Sequence, residues 1–379
     1  MSSPAPNFDA HRPSRPTRAL VDLSAIAGNY RYLQRLAGSA AVVPVVKANA
    51  YGHGAVAVAR RLVEEGSDRF AVAIAEEGVE LRRGGIRGEI LILNYSDPAD
   101  APLHRAYALT PAIYELDQAR GLAEAAGGLE APLPVHLKLD TGMCRLGVRP
   151  EDLSTAIELL RRSPGLALKG TFTQLARAEE ERSQATDRQL ATMKRCLELM
   201  RDAGIEPGLV HAANSAGLLG HPASILQAVR PGIALYGISP SEALDPGTLA
   251  PSLALETRVM AVNTVAPDTP LGYGGRFVTS RTSRIAVLPI GYHDGVRRSF
   301  SERVSVLLRG EKAPIVGAVS MDLTLVDATK SGARIGDRVL LLGSDGELRV
   351  TAWDLARAAG TIPYEILCGI GTRVPRVYP

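Results

Sequence analysis

The 379-residue sequence has few cysteines, little net charge and no long apolar run, and each shortage excludes a class of protein. Its three cysteines, Cys144, Cys196 and Cys368, are widely spaced without metal-ligand spacing, so we expect reduced thiols and no metal site. With 43 basic and 40 acidic residues and no basic stripe, the chain is not expected to bind nucleic acid. No apolar run approaches the ~20 residues that cross a bilayer, and the first residues lack the apolar segment of a secretory signal. These absences predict a cytoplasmic protein without a membrane partner.

One sequence pattern repeats from about Val42 to Gly237: a short β-branched run is followed by a polar loop and then by an amphipathic stretch. The amphipathic stretches, such as residues 55–66 and 187–204, have helical spacing. Parallel neighbours need crossover connections, so this alternation predicts a parallel sheet. About eight units favour a (β/α)8 TIM-type barrel over an open doubly wound sheet. The predicted strands are VVPVV (42–46), FAVAI (70–74), EILIL (89–93), LTPAIY (109–114), VHLKL (135–139), LKGTFT (168–173), LVHAAN (209–214) and GIALYG (232–237).

A change of pattern follows the Ser- and Pro-rich stretch at residues 238–252. Alternating segments of strand character replace the long helical patterns, and TAWDLARAAG (351–360) alone still predicts a helix. We therefore predict a second, mainly β C-terminal domain. The predicted organisation is a loose N-terminal arm (1–16), a barrel (17–240) and a β domain (241–379).

Lys47 stands at the carboxyl end of the first predicted strand, where barrel enzymes place their chemistry. The residues alone leave three roles open for it: a solvated rim charge, a phosphate binder or an amine nucleophile activated by burial. The small residues around Tyr51 permit close approach of a ligand. His53 is expected to be a loop hydrogen-bonder rather than a general base or metal ligand.

Two further polar clusters lie on later predicted strands. His136 and Lys138 share one strand face, and Arg145 follows that strand. Because unpaired buried charge is costly, these cationic side chains need acidic neighbours, in a structural ion pair, or an anionic ligand. The other cluster lies on the last two runs, where barrels commonly bind phosphate. It contains Ser215, Arg230, Gly232 and Ile233.

In this order the motifs resemble those of the alanine racemases, enzymes that join a (β/α)8 barrel to a β domain. The resemblance covers about residues 18–378. It implies an isomerase that interconverts L- and D-alanine and supplies D-alanine for peptidoglycan, acting on a small amino acid as a homodimer with shared active sites. The motifs are VVKANAYGHG (45–54), LKLDTGMCRLG (137–147), HAANSAG (211–217), VRPGIALYG (229–237), GYGGRF (272–277), PIGYHDG (289–295), APIVGAVSMD (313–322) and IPYEILCGIGTRVPRVY (362–378).

The same resemblance implies a cofactor, pyridoxal 5′-phosphate, held by Lys47 as a Schiff base. Two catalytic acid/bases are implied, with Lys47 on one face of the substrate α-carbon and Tyr273 of the partner subunit on the other. Arg230 would contact the pyridine nitrogen, while Arg145 and the Met321 amide would hold the substrate carboxylate. Tyr51, Ser215, Gly232, Ile233 and Tyr364 would bind the phosphate, and Lys138, Gln174, His211 and Asp322 would support the site. Lys138 matches a lysine that is carbamylated in the family.

One position departs from the family pattern. A histidine usually follows the sixth strand in a THFA motif, whereas this chain has TQLA with Gln174. Glutamine can donate and accept hydrogen bonds but cannot carry charge. The sequence therefore leaves open a racemase of another small amino acid such as serine, and a weakly active or non-catalytic cofactor-binding relative. A decarboxylase of the same fold and a phosphate-binding barrel enzyme without the cofactor are further alternatives.

Overall fold

The computed structural model describes residues 15–128 and 130–379, which divide into two compact units. Leu23–Ser252 form the barrel unit, and Leu253–Pro379 form the β unit together with the described residues up to Asp22. The first strand, β1 (Arg18–Val21), explains this division because it pairs antiparallel with residues 253–256 and parallel with residues 376–377. These boundaries differ from the predicted barrel range of 17–240. Residues 1–14 of the predicted arm lie outside the described residues.

The barrel unit contains, within the described residues, eight strands that are parallel to one another. They are β2 (Ala41–Val42), β3 (Arg69–Val72), β4 (Glu89–Ile92), β5 (Leu109–Ile113), β6 (Leu133–Lys138), β7 (Leu166–Phe172), β8 (Leu209–His211) and β9 (Ala228–Val229). The sheet order is β2-β9-β8-β7-β6-β5-β4-β3, and a parallel bridge from Val45 to Ala71 joins the two ends. The predicted (β/α)8 barrel is confirmed.

The helices of the barrel unit pack outside these strands. Two of the quoted helical patterns end as predicted, because Gly66 and Gly204 take the left-handed conformation with φ of 90° and 75°. No helix among the described residues is both long and apolar enough to cross a membrane. The helices are α1 (Leu23–Ala37), α2 (Ala55–Glu64), α3 (Ala75–Arg83), α4 (Ala101–Ala106), α5 (Leu116–Ala126), α6 (Leu153–Arg162), α7 (Gln184–Asp202) and α8 (Ser215–Gly220).

Strand β6 shows how the sequence divides between the outer core and the barrel interior. Side chains alternate along a strand, so neighbouring residues face opposite sides of the sheet. Val135 and Leu137 pack in the hydrophobic core with residues of α5, α6 and α7. His136 and Lys138 lie on the other face, and they are 2% and 3% exposed. The barrel interior is therefore polar at this level, as the shared face of these two residues predicted.

The prediction that GIALYG forms the last strand is wrong. The eighth barrel strand is the two-residue β9, and Ile233–Tyr236 form a one-turn 3-10 helix. Proline at position 231 has no N–H for a ladder hydrogen bond, so the strand ends before it. Gly237 ends the turn with φ of 80°, and a Cβ there would lie 1.8 Å from the carbonyl oxygen of Ala250.

The β unit is built mainly from antiparallel strands, which confirms the predicted mainly β domain. Its largest sheet has the order β16-β15-β18-β10-β1-β20, with β19 on β18, while β11-β14-β17 and β12-β13 form smaller sheets. Beside the expected helix, α9 (Ala352–Ala359), the unit has a second helix that was not predicted, α10 (Pro363–Cys368), which begins at a proline. The strands are β10 (Leu253–Arg258), β11 (Ala261–Val265), β12 (Pro270–Leu271), β13 (Phe277–Val278), β14 (Ser283–Leu288), β15 (Ser305–Leu308), β16 (Glu311–Pro314), β17 (Thr324–Asp327), β18 (Arg338–Asp345), β19 (Leu348–Val350) and β20 (Arg376–Val377).

Candidate active site

Lys47 opens a helical segment, Lys47–Tyr51, whose backbone has the opposite hand to an ordinary helix. Val45 pairs with Ala71 of β3, and half-buried Lys47 follows two residues later. The next four residues, 48–51, all have φ between 51° and 53°. Left-handed backbone costs an L-residue roughly 1–2 kcal/mol, so a run of four is strained. Such strain is typical of functional sites, where surrounding contacts maintain it.

Two side chains, one of them from within the left-handed segment, tie the segment to its neighbours. The main-chain N–H of Ala48 donates to Oε1 of Glu77 at 2.6 Å. Farther along, Oδ1 of Asn49 accepts from the main-chain N–H of Ala55 at 2.8 Å, where α2 begins. The segment is therefore fixed both to the following helix and to α3, which carries Glu77.

His53, which follows the same segment in the chain, also holds it in place. Its Nδ1 lies 3.0 Å from the carbonyl oxygens of Ala50 and Tyr51. Because carbonyl oxygens only accept, Nδ1 carries the proton and donates to both. The ring also stacks on Tyr236 with centroids 4.4 Å apart. His53 is thus a loop hydrogen-bonder, as predicted.

The residues predicted to bind phosphate within the barrel unit lie together. A Cβ on Gly232 would sit 2.4 Å from Oη of Tyr51, so only glycine leaves room for this hydroxyl. Oγ of Ser215, at the start of α8, accepts from the main-chain N–H of Gly232 at 2.9 Å. Ile233 follows Gly232 and opens the one-turn helix described above. Two hydroxyls and a glycine-lined turn therefore converge at the end of the barrel that follows β8 and β9.

Arg230 follows β9 and is buried, with 2% of its surface exposed. Its Nη1 donates to Nδ1 of His211 at 2.5 Å. Its Nη2 donates to the carbonyl oxygens of Thr173 at 2.7 Å and Ala212 at 3.2 Å, and to Oε1 of Gln174 at 3.3 Å. Burial lowers the pKa of Arg230 to about 9, so the guanidinium still carries its charge at neutral pH.

The aromatic ring of Phe172 lies close to the cationic groups of Arg230 and Lys138. Its ring stacks on His211 with centroids 4.8 Å apart and an interplanar angle of 8°. The guanidinium of Arg230 lies 5.0 Å from the ring centroid, and Nζ of Lys138 lies 5.6 Å from it. The negative face of an aromatic ring attracts such cations, so Phe172 partly offsets their burial.

Lys138 is a buried amine in a strongly cationic setting. Its Nζ donates to the carbonyl oxygen of Leu93 at 3.0 Å. Burial, followed by the charges of Arg145, Arg230 and Lys47, lowers the pKa of Lys138 to about 8. Three cationic side chains thus act on Lys138 at this end of the barrel, which favours an anionic ligand.

The loop that carries exposed Arg145 is built on Asp140. Oδ1 of Asp140 accepts from the main-chain N–H groups of Gly142 at 3.0 Å, Met143 at 2.9 Å and Cys144 at 3.0 Å. Burial by itself raises the pKa of Asp140, but these hydrogen bonds outweigh it and the pKa is lowered. The ionised carboxylate therefore orders the turn that leads to Arg145.

The remaining predicted site residues belong to the β unit. Tyr273 follows Gly272 in a short turn, and 77% of its surface is exposed. Met321 is also exposed, whereas Tyr364 is half-buried near the start of α10. Asp322 accepts from Nη2 of Arg373 at 2.7 Å. A tyrosine hydroxyl, a main-chain amide and a carboxylate are thus presented by this unit.

The position of Met321 depends on Gly291. A Cβ on Gly291 would lie 2.3 Å from the Met321 carbonyl oxygen, so the two loops can meet only at a glycine. The main-chain N–H groups of Tyr292 and His293 donate to the carbonyls of Ser320 at 2.9 Å and Met321 at 3.2 Å. The loop that carries the predicted substrate-binding amide is therefore anchored by backbone contacts.

A fully buried carboxylate, Asp294, fastens the same region. Arg15 and Arg373 both donate to it, with shortest distances of 2.5 Å and 2.7 Å. Burial alone raises the pKa of Asp294, but hydrogen bonds from both arginines and from Gly291 lower it to about 2. Arg373 also contacts Asp322, so one ionic network joins Arg15 to the predicted site loop.

Comparison with known protein families identifies both units. Residues 21–240 match the family described as alanine racemase, N-terminal domain, and residues 252–378 match alanine racemase, C-terminal domain. The chain belongs to the alanine racemase family. This confirms the predicted family and its isomerase class.

Individual alanine racemases resemble the chain over nearly its full length. The enzyme of Symbiobacterium thermophilum is 42% identical, with 96% of this chain and 97% of the relative covered. That of Carboxydothermus hydrogenoformans is 42% identical, with coverage of 96% and 100%. Among solved structures, the Bacillus anthracis alanine racemase with bound L-Ala-P has a TM-score of 0.92 at 34% identity, covering 96% of this chain and 95% of that one. The biosynthetic alanine racemase of Pseudomonas aeruginosa has a TM-score of 0.86 at 36% identity, with coverage of 96% and 99%.

The barrel site fits a phosphorylated pyridine cofactor of the kind used in this family. The bare Cα of Gly232 leaves a cradle beside the Tyr51 hydroxyl that a Cβ would fill. Hydroxyls and main-chain amides suit phosphate oxygens. Arg230 supplies a donor for an aromatic ring nitrogen, and Lys47 supplies an amine. These residue types are the donor set that such a cofactor requires.

Sequence reasoning missed several residues that shape the site. Glu77 gave a usable signal, because an acid in the first turn of a helix after a barrel strand is well placed to accept main-chain hydrogen bonds. Glu89 and Gly170 gave none, since their contacts with His136 join segments that are distant in sequence. Asp294 appeared only as part of the PIGYHDG motif, with no role assigned to it.

Proposed function

We propose that the chain interconverts L- and D-alanine with pyridoxal 5′-phosphate, and that the D-alanine serves peptidoglycan synthesis in the cytoplasm. The convergence of Lys47, Tyr51, Ser215 and Arg230 at one end of the barrel, in a member of the alanine racemase family, carries this proposal. When bound, the cofactor supplies an electron sink for the substrate α-carbon. The protein supplies binding, orientation and the two proton-transfer groups.

Within the barrel unit the predicted site residues have distinct roles. Lys47 holds the cofactor through its amine and moves a proton at one face of the substrate α-carbon. Tyr51, Ser215, Gly232 and Ile233 bind the phosphate. Arg230 can only donate hydrogen bonds, so it holds a ring nitrogen in its unprotonated form.

The β unit contributes the remaining groups. Tyr273 of the partner subunit moves the proton at the opposite face, which makes the active enzyme a homodimer with shared sites. The high exposure of Tyr273 in the single chain supports this assignment, because a group that serves a neighbouring subunit must reach the surface. Tyr364 completes the phosphate contacts. The Met321 amide holds the substrate carboxylate together with Arg145.

A racemisation assay with L-alanine, D-alanine and L-serine tests the proposal. Wild-type protein is expected to convert the alanine enantiomers and to show the absorbance band of bound cofactor. Lys47→Ala is expected to lose both activity and band, while Lys169→Ala, which changes an exposed lysine on β7, keeps both. Absence of conversion with the band present would refute the racemase assignment, and preferential conversion of serine would reassign the substrate.

Solvent deuterium separates the two proton-transfer groups. Tyr273→Phe is expected to lower deuterium incorporation at the α-carbon from one enantiomer far more than from the other, because only one face loses its proton donor. Tyr95→Phe, a change of an exposed tyrosine in the barrel unit, serves as the matched control. Equal losses from both enantiomers in Tyr273→Phe would contradict the two-base mechanism.

A further inference from the structure

A row of polar side chains crosses the barrel interior from Arg230 through His211 and His136, all three buried, to the half-buried Glu89. Nη1 of Arg230 lies 2.5 Å from Nδ1 of His211, and Nε2 of His211 lies 3.0 Å from Nδ1 of His136. Nε2 of His136 faces Oε1 of Glu89 at 3.4 Å, an electrostatic contact longer than an ordinary hydrogen bond. Arg230 follows β9 at the carboxyl end of the barrel, and Glu89 opens β4 at the amino end. The row therefore connects the candidate active site to the opposite end of the barrel.

In the observed geometry, the donor groups of Arg230 at one end and the carboxylate of Glu89 at the other favour one arrangement of protons along this row. A guanidinium only donates, so Nδ1 of His211 must accept and the His211 proton must lie on Nε2. Burial, followed by the charge of Arg230, lowers the pKa of His211 well below its usual value, which keeps the ring neutral. His211 then donates to Nδ1 of His136, whose own proton lies on Nε2 and faces the Glu89 carboxylate. One arrangement of protons is consistent with all three contacts of the row.

The backbone makes a specific place for His136. A register shift between Val135 and His136 interrupts the pairing of β6 with β7, and such bulges re-aim side chains. Gly170 is the partner of His136 across this pair, and a Cβ there would lie 2.4 Å from Cε1 of the imidazole. A bulge and a glycine thus combine to admit the ring beside His211.

The hydrogen-bond acceptors of Arg230 indicate why the row must lead to a charged group. Among the described residues, its acceptors are the imidazole of His211, the amide of Gln174 and the carbonyls of Thr173 and Ala212, all of them neutral. Glu89 is the ionised carboxylate at the far end, and its contact with His136, ahead of the opposing effect of burial, lowers the pKa of Glu89. Polarised imidazoles can transmit the influence of that charge.

We propose that Glu89 and His136 are positioning residues that hold His211 in the Nε2–H tautomer and thereby keep Arg230 directed as described. Loss of the Glu89 carboxylate frees His136 to place its proton on Nδ1, opposite the His211 N–H. His211 then shifts its own proton to Nδ1, where it faces the guanidinium donors, and Arg230 loses its shortest hydrogen bond. The tautomers depend on this chain alone, whereas the effect on catalysis rests on the proposed function.

Side-chain nitrogen NMR of the cofactor-free protein tests the tautomers directly. Seven histidines are present, and single His→Gln variants assign their signals. His211 and His136 are expected to show a protonated Nε2. His221, whose Nε2 lies 3.0–3.1 Å from two carbonyls, provides the Nε2–H reference, and His53 provides the Nδ1–H reference. A protonated Nδ1 on His211 in the native protein would overturn the proposal.

The Glu89→Ala variant tests whether Glu89 determines the tautomers of His136 and His211. It is expected to give both interior histidines mixed tautomers, whereas Glu80→Ala, a change of an exposed glutamate on α3, leaves them unchanged. Unchanged tautomers in Glu89→Ala would remove Glu89 from the role. Gly170→Ala is expected to act like Glu89→Ala because it displaces the His136 ring.

The cofactor-loaded enzyme then tests the consequence. Glu89→Ala is expected to lower kcat about tenfold with KM changed less than twofold, and to shift the absorbance band of the bound cofactor. Glu89→Gln retains an acceptor oxygen and is expected to recover most of the loss. An unchanged kcat and band in Glu89→Ala would refute the positioning role. Wild-type protein that binds no cofactor would instead refute the proposed function and leave the tautomer result standing.

Discussion

The main-chain N–H of Ala48 and the carboxylate of Glu77 are 2.6 Å apart, and the other carboxylate oxygen of Glu77 accepts from the N–H of Ala73 at 2.7 Å. One side chain therefore ties the left-handed segment after Lys47 to the chain just after β3. Glu77→Ala is expected to lower the free energy of unfolding by about 2–3 kcal/mol, since two charge-assisted hydrogen bonds are lost. It is also expected to weaken cofactor binding, because Lys47 and Tyr51 lose their fixed backbone.

Chemical denaturation and a cofactor titration measure both effects of Glu77→Ala. The matched control is Glu76→Ala, which removes the exposed neighbouring acid in the same first helical turn. Equal cofactor affinity in the two variants would show that the segment keeps its conformation without Glu77.

Gln174 offers a test of the departure from the family pattern. Its Oε1 accepts from Arg230 at 3.3 Å, so it maintains a contact but cannot carry charge. Gln174→His is expected to raise kcat about tenfold, a change of ~1.4 kcal/mol in the activation barrier, if the surrounding network is otherwise intact. Steady-state kinetics measure this change, and Gln174→Asn controls for side-chain size. An unchanged rate would show that position 174 does not limit turnover.

Lys138 is expected to react with carbon dioxide. Its pKa of about 8, set first by burial, leaves about half of the amine neutral at pH 8, whereas an ordinary lysine is almost fully protonated there. The neutral nitrogen adds to the carbon of carbon dioxide and releases a proton, which gives a carbamate anion. That anion would neutralise part of the cationic cluster around it.

Carbon NMR after incubation with labelled bicarbonate detects the Lys138 carbamate. The signal is expected at pH 8, is expected to weaken at pH 6 as the amine becomes protonated, and should disappear in Lys138→Met. Lys169→Met, which changes an exposed lysine on β7, should retain it. A signal that survives in Lys138→Met would place the modification elsewhere.

Asp294 predicts a specific acid sensitivity. Although burial opposes ionisation, Arg15 and Arg373 lower the pKa of Asp294 from 3.8 to about 2. Because the folded-state pKa is the lower one, the stabilisation is present above pH ~4 and is lost as the pH falls through ~2. Its size is about 2 kcal/mol. Asp294→Asn should therefore lower stability at pH 7 by at least this amount.

Unfolding curves between pH 7 and pH 2 check the prediction for Asp294. The difference between wild type and Asp294→Asn is expected to shrink below pH 4. Asp345→Asn, a change of an exposed acid in the same unit, should follow the wild type throughout. A difference that stays constant down to pH 2 would mean that the ionic network does not set the acid response.

The barrel and the placement of Lys47 could be predicted because β-branched runs and helical spacing repeat clearly along the chain. The last strand could not, since β9 has only two residues and the more apolar GIALYG follows it. Local pattern favours the longer run, but the proline at 231 and the close approach of Gly237 to Ala250 decide the backbone. At this position, contacts between residues distant in sequence determine the backbone conformation, and the local hydrophobic pattern does not.

The residues of the candidate site also fall into those that could be predicted from the sequence and those that could not. Lys138 and His136 could be assigned to the barrel interior because strand alternation depends on neighbouring residues alone. Their partners Leu93 and Glu89 could not, because those contacts cross from β6 to the β4 region of the chain. His53 was expected to hydrogen-bond within its loop, but the sequence did not show that its acceptors are the carbonyls of two left-handed residues.

The pairing of β1 with β10 and β20 has a consequence for synthesis of the chain. Residues 23–252 form an insertion between two strands that are neighbours in one sheet. During translation the barrel can be completed while β1 still awaits the partners that pair with it. A barrel that folds early shortens the effective distance between β1 and β10, which lowers the entropic cost of joining them. Formation of the β unit is therefore expected to indicate that the barrel has been completed.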